Sequence, residues 1–207
     1  MADTWVKQFA LGPMDNFGYL VGDAQAKTLA VIDPSFDARP LEDEAKRLGA
    51  AIELVLLTHG HPDHVRDAER LAHATGAKIA AHRAGSVRKD LELDDGSIVR
   101  LGAVEVRVLH TPGHTPDSCC FLAGNALFTG DTLFVGECGR VDLPGSSVDA
   151  MHHSLLHVLR GLPDDLIVYP GHHYGPTPTS TLGHEKERNY TLQPRSLAEF
   201  RRFMREP

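Results

Sequence analysis

Four apolar runs in this 207-residue chain each lead directly into a short turn that carries histidine or aspartate. Residues 52–57 read IELVLL and deliver the chain into THGHPDH at 58–64. Residues 104–109 alternate as a strand and lead into HTPGHT, 126–128 lead into TGD, and 166–169 into PGHHYG. Short, nearly continuous apolar runs are expected of buried strands. Turns at the ends of packed strands converge on one rim, where sites are usually built. The glycines and prolines beside the histidines let the backbone turn sharply and aim side chains inward. One histidine next to a glycine is ordinarily a surface residue; four strand-end turns of the same kind are hard to assign to chance.

The rest of the pattern reads as strands and helices in one domain. Runs at 6–11, 17–21 and 28–32 predict short strands split by Gly, Pro and Asp. A helix fits 39–48, stopped by Gly49. Val65, Ala68, Leu71 and Ala72 recur at helical spacing before Gly76. Residues 118–122 predict a further strand. Ser146 and Asp149 have capping-box spacing ahead of a stripe of Met151, Leu155, Val158, Leu159 and Leu162. Ser196 and Glu199 cap a last short helix carrying Leu197, Phe200, Phe203 and Met204. Neither a low-complexity linker nor a short repeat appears. The expectation is a single domain over 1–207, two sheets with helices outside, ending in a short helical tail at about 190–207.

Composition narrows the function classes. With 21 basic and 28 acidic residues the net charge is -7, poorly suited to a phosphate backbone, so nucleic acid is not an expected partner. The N-terminal stretch lacks the pattern of a signal peptide, and the longest apolar run is too short to span a bilayer. A soluble, cytoplasmic protein with no membrane partner is expected. The three cysteines, Cys119, Cys120 and Cys138, have neither disulfide-scaffold nor Cys-x-x-Cys spacing. Cys119 and Cys120 read as small apolar strand residues, and Cys138 as a buried structural thiol in a loop. Thirteen histidines are the outlier. His73, His82, His152, His153, His157 and His184 are expected on solvated faces. His110 and His173 flank the motif histidines, as supporting or exposed residues, and Asp117 is expected to cap a turn.

Imidazole with carboxylate and no thiolate suits zinc, iron, manganese or nickel. His59 and His61, two apart, face the same side of an extended turn. Asp63 and His64 are adjacent and point elsewhere, towards a second ion. The cluster therefore offers enough donors for two metals. Two ions about 3.5–4 Å apart with a bridging water form a common hydrolytic device.

THGHPDH, TPGHTPDS, FTGDTLF and YPGHHYG together resemble the successive metal motifs of the metallo-β-lactamase superfamily. The resemblance runs from Asn16 to about Asn189. It implies an α/β fold, an αβ/βα four-layer sandwich of two mixed β-sheets flanked by helices. It implies that His59, His61, His114 and a bridging Asp131 hold one metal. Asp63, His64, His172 and the same Asp131 hold a second, and Asp33 in VIDPS buttresses the site. MDNFGYLVGD, AVIDPS, GDTLF and GECGRVDLPG further resemble the glyoxalase II group. That implies a hydrolase cleaving a thioester of the S-lactoylglutathione type with a metal-bridging hydroxide. Asp131 and Asp63 are its catalytic carboxylates, Asp63 orienting the nucleophile. Two divalent ions are implied, zinc first, with iron or manganese as alternatives. Arg140 and Tyr174 stand at glutathione-contacting positions; for Arg140, an ion pair with Asp142 is the competing reading. Full-length glyoxalase II enzymes carry a long helical C-terminal region that has no counterpart here. GECGRVD and the tail HEKERNYTLQPRSLAEFRRFM also resemble persulfide dioxygenases, which use a single iron, here on His59, His114 and Asp131, and act on glutathione persulfide. The expected partner in both cases is a small-molecule substrate, with a homodimer allowed.

Overall fold

The computed structural model describes residues 4–23 and 25–205. The first half of the chain builds one six-stranded sheet. β1 (Thr4–Leu11), β2 (Asn16–Asp23) and β3 (Thr28–Ile32) pair antiparallel, and β4 (Ala51–Leu57), β5 (Lys78–His82) and β6 (Leu91–Leu93) continue in parallel. The second half builds the other sheet. β7 (Ile98–Leu101), β8 (Val104–His110), β9 (Cys119–Ala123) and β10 (Ala126–Gly130) meander antiparallel. β11 (Ile167–Pro170) then joins β10 in parallel, and β12 (Ser180–Thr181) closes the edge. Both sheets are mixed, as expected.

Strand periodicity explains the layering, because successive side chains point to opposite faces. Tyr19, Ile32, Leu54, Leu56, Phe121 and Phe128 fill the space between the sheets. Their neighbours Leu20, Val31, Val55 and Leu57 face outwards onto α1 (Arg39–Leu48) and α3 (Ala68–Thr75). Cys120 and Leu127 face the opposite outer layer, against Met151, Leu155, Leu192 and Phe200. Cys119 lies in the central layer and Cys120 in an outer one, so the two adjacent thiols sit on opposite sides of one sheet.

Helix limits follow local chemistry with two departures. Gly49 ends α1 in the left-handed conformation, as read. Ser196 and Glu199 form the capping box of α6 (Leu197–Phe203). The single helix expected after THGHPDH is instead two: α2 (Pro62–Val65) and α3. The break falls at Asp67, whose N–H donates to Ser35 O and whose carboxylate accepts from Ala38 N–H. The cap of α4 (Val148–His153) is Ser147 and not Ser146; the Ser146 hydroxyl bonds back to Leu143 O. Beyond α4 the chain continues through a π-helical turn, Ser154–Val158. No described helix is long and apolar enough to cross a membrane.

Candidate metal centre

The four turns meet at one rim of the sandwich. His59 leaves the end of β4; His61, Asp63 and His64 come from the start of α2; His114 follows β8, Asp131 follows β10 and His172 follows β11. The two sheets are tied here by the Phe17 N–H to Gly171 O bond and by the bridge between Asn16 and His172. Donor atoms fall into three overlapping groups: His59, His61 and His114; His59, His64 and Asp131; Asp63, His64 and His172. In each, the potential ligand atoms lie within 4.8 Å of one another.

Contacts on the far side of each ring fix which nitrogen faces inwards. His114 Nδ1 lies 2.9 Å from Arg140 O, and His172 Nδ1 lies 2.8 Å from Met14 O. A carbonyl only accepts, so both rings carry a proton on Nδ1 and turn Nε2 to the centre, where it can take a metal or a second proton. His64 Nδ1 lies 3.0 Å from Asp33 Oδ2, with the same consequence. Thr58 Oγ1 donates to Asp33 Oδ2 at 2.6 Å and so is free to accept from His59 Nδ1 at 3.1 Å. Asp33 thus sets the tautomer of His64 directly and that of His59 through Thr58. These are the outer contacts that metal-binding histidines ordinarily have.

The inward atoms are packed at spacings that suit a cation and little else. His64 Nε2 and His172 Nε2 are 3.1 Å apart. His61 Nδ1 is 3.1 Å from His59 Nε2 and 2.9 Å from His114 Nε2. Lone pairs facing each other at this range repel. Around an ion bonded at ~2.0–2.1 Å, ligand atoms are separated by roughly 2.9–3.4 Å. Asp131 Oδ1 is buried without a hydrogen-bond partner, 3.3 Å from His64 Nε2. Its Oδ2 lies 3.4 Å from His172 Nε2 and 3.5 Å from His114 Nε2, so one carboxylate faces both halves of the cluster. Asp63 Oδ2 is 3.4 Å from both His64 Nε2 and His172 Nε2 and accepts from Asn16 Nδ2 at 3.0 Å. The donor set fits a metal.

Proton affinities point the same way. Burial drives His59 well below the usual imidazole range. Burial would lower His172 too, but Asp131 and Asp63 outweigh it and push it up to about 10. Burial raises Asp131, and His64, His172 and His59 more than reverse it, holding the carboxyl far below its ordinary value. Two carboxylates buried among imidazoles demand positive charge. A proton shared with His172 or a bound cation meets that demand, so cation binding must release protons.

Close backbone approach makes the packing possible. A Cβ at Gly139 would stand 1.8 Å from Asp131 O, and one at Gly171 would stand 2.4 Å from Asp131 Oδ1. Asp33 itself has a left-handed φ of 47°, uncommon outside glycine but tolerated by aspartate.

The sequence profile of the Metallo-beta-lactamase superfamily matches residues 11–90 and 83–172. The chain belongs to this superfamily. Its members are metal-dependent enzymes, mostly hydrolases. Curated relatives include the probable polyketide biosynthesis zinc-dependent hydrolase BaeB of Bacillus velezensis, 34% identical over 79% of this chain and 75% of that protein. The human mitochondrial persulfide dioxygenase ETHE1 is 32% identical over 91% of this chain and 75% of its own. A hydroxyacylglutathione hydrolase of Rhodopseudomonas palustris is 40% identical, over 77% of this chain but 63% of its own length. Among solved structures, ETHE1 from Myxococcus xanthus superposes with a TM-score of 0.92 at 31% identity, covering 98% of this chain and 90% of that one.

A cavity of about 450 Å³ opens onto the metal cluster. Its floor is His61, Asp63, His114, Asp131 and His172, and its wall includes Met14, Phe134, Leu143 and Tyr174. Tyr174 stacks on His172 with ring centroids 4.7 Å apart. Arg140 also lines the cavity, but its guanidinium is held by Asp142 at 2.6 and 2.7 Å. Arg140 therefore both lines the cavity and forms the ion pair with Asp142. Cys138 is in the wall, and burial beside Glu137 pushes its thiol up to about 12. Two histidines expected on solvated faces are buried: His82 stacks on His110 at 3.9 Å, and His152 packs on Phe200 while donating to Arg195 O.

One group went unread in the sequence. Asn189, fully buried after α5 (Leu182–Arg188), braces the cavity wall from behind. Its Nδ2 donates to Phe134 O at 3.3 Å, Glu137 O at 3.1 Å and Glu185 Oε2 at 3.0 Å; its Oδ1 accepts from Thr191 N–H at 2.9 Å. Glu185 Oε2 also accepts from Gly136 N–H at 2.8 Å. The braced segment ends at Arg140, whose carbonyl orients His114. The one signal in the sequence was a polar pair, Glu185 and Asn189, four residues apart at the end of a largely charged helix. Replacing Asn189 with Ala takes the side-chain donor from buried Phe134 O and Glu185 Oε2 and leaves Glu137 O only the Phe134 N–H. The expected cost is about 2–4 kcal/mol of stability. The affinity of the His114 side of the cluster for zinc should also fall by roughly 10–100-fold. Denaturant melts of the apo-protein and competitive zinc titration read the two effects separately; unchanged zinc binding would show that the brace does not reach His114.

Proposed function

We propose that the protein is a binuclear metallohydrolase that cleaves a small thioester of the S-lactoylglutathione type. One observation carries this reading. Both halves of the cluster have their donors set by dedicated outer contacts: Arg140 O and Thr58 on one side, Asp33, Met14 O and Asn16 on the other, with Asp131 between. The second set gives the chain the outer contacts that a second ion would use, which supports two ions. His59, His61, His114 and Asp131 would hold one ion, and Asp63, His64, His172 and Asp131 the other. Zinc suits the nitrogen-rich donors, with iron or manganese able to replace it.

Bound there, such ions supply a water ionised near neutral pH and polarise the acyl oxygen. The chain contributes the remainder. Asp63, fixed by Asn16, presents a carboxylate at the cavity floor that can hold the proton of the attacking water and orient it. Asp33 keeps His59 and His64 in the tautomer that turns the Nε2 lone pair to the centre, where it can bind a metal. Met14, Phe134 and Tyr174 form an apolar wall against which the acyl and sulfur atoms can seat away from bulk water.

A second reading, a mononuclear iron dioxygenase acting on glutathione persulfide, is favoured by the extent of the likeness to ETHE1, which runs over nearly the whole chain. Elemental analysis of the purified protein, with thioester cleavage and oxygen uptake assayed side by side, separates them. Two ions per chain and thioester cleavage without oxygen uptake are expected. One iron per chain with persulfide-dependent oxygen consumption would replace the hydrolase reading.

A further inference from the structure

Around the mouth of the cavity the charges do not balance. The single arginine of the lining, Arg140, is spent on Asp142. Glu137, three residues earlier in the same wall, is half-buried and forms no ion pair among the described residues. Its Oε1 accepts from Cys138 N–H at 2.9 Å, and its Oε2 accepts from the Tyr190 hydroxyl. Both donors are neutral, so they aim the carboxylate without cancelling its charge. The brace through Asn189 to Glu137 O fixes the backbone that carries it. The acidic groups at the floor, Asp63 and Asp131, face the metal donors and are committed there. Glu137 is therefore the unmatched charge in the part of the cavity that a substrate arm would occupy.

We propose that Glu137 is a specificity residue that selects a substrate whose thiol-derived arm carries a primary ammonium group. The inference rests on the thioester reading for the choice of substrate. Its physical basis is separate: an uncompensated carboxylate in a partly dry wall attracts an ammonium donor and disfavours an anionic or merely neutral group at the same place. A glutathione-type arm has such an ammonium on its γ-glutamyl end. An arm with a masked amine, or a phosphate-bearing carrier arm, lacks it.

The test uses the zinc-loaded full chain and two thioesters with the same acyl group, S-lactoylglutathione and its N-acetylated derivative. The wild-type protein should favour the free amine by about tenfold or more in kcat/KM, with the difference in KM. Glu137→Gln, which keeps the shape and the contacts to Cys138 and Tyr190, should bring the two compounds together by weakening the free-amine one. Equal handling of both by the wild type, or an unchanged preference in Glu137→Gln, overturns the proposal. If neither thioester is cleaved, the hydrolase reading fails. Calorimetric binding of S-methylglutathione against N-acetyl-S-methylglutathione then judges Glu137 on its own. Tighter binding of the free amine that Glu137→Gln abolishes sustains the role, and equal binding ends it.

Discussion

Asp131→Ala is expected to empty the site. The carboxylate lies within 3.5 Å of inward nitrogens from His64, His114 and His172, and so faces both halves of the cluster. Without it, five imidazole lone pairs converge on a centre with half the negative charge. Dialysed Asp131→Ala protein should retain close to no zinc, where the proposed binuclear reading expects two ions per chain in the parent. Turnover should drop by about 10³-fold or more, above the ~10²–10³ typical of losing one charge-stabilising donor. The fold should survive, because the side chain is at the rim and outside all three apolar layers. Metal content by mass spectrometry and the far-ultraviolet circular dichroism of the same sample check both halves of the statement. A fully loaded, fully active variant would remove Asp131 from its place in the centre.

Asp33→Asn should act at a distance of one side chain with an effect nearly as large. Asp33 is 1% exposed and accepts three hydrogen bonds: from Thr58 N–H at 2.8 Å, from Thr58 Oγ1 at 2.6 Å and from His64 Nδ1 at 3.0 Å. Asparagine keeps the shape and tolerates the left-handed backbone. Its amide nitrogen would face the Thr58 hydroxyl and His64 Nδ1, where only an acceptor serves. His64 then relieves the donor–donor contact by moving its proton to Nε2, which closes the lone pair that faces Asp63 and Asp131. Affinity for the ion on the His64 side should fall by at least ~10–100-fold, with a smaller loss on the His59 side, which Asp33 reaches only through Thr58. Two-step zinc titration should turn into one step, and ring-nitrogen NMR shifts of His64 should report the exchanged tautomer. Two equally tight steps would show that Asp33 does not govern His64.

Much of this was legible in the chain itself, for identifiable reasons. Strand 51–57 announces itself because burial on both faces towards its end leaves few polar residues in it, and 104–110 because buried and exposed residues alternate along it. The turns that follow are legible because histidine and aspartate beside glycine leave little room for another use. Gly49, Ser196 and Glu199 mark helix ends through chemistry confined to a few neighbouring residues. What escaped depends on partners far away in sequence. The helix break at Asp67 is decided by Ser35 and Ala38. Burial of His82 and His152 depends on His110 and Phe200. The brace at Asn189 is invisible without knowing that residues 134–137 pass beside it. Arg140 shows the limit from the other side: its neighbour Asp142 was in plain view, and only the coordinates show the two locked together.

The brace also sets how far the chain can be trimmed. Every strand-end turn with a donor atom has been laid down by residue 172, and a minimal version stopping soon after β12 would keep the whole donor set. It would lose Glu185, Asn189 and Tyr190, and with them the scaffolding behind residues 134–140. Such a shortened protein would own all the chemistry and lack the stiffness to aim it. The last two dozen residues are the mounting of the instrument, and domain boundaries for expression or grafting belong after α6.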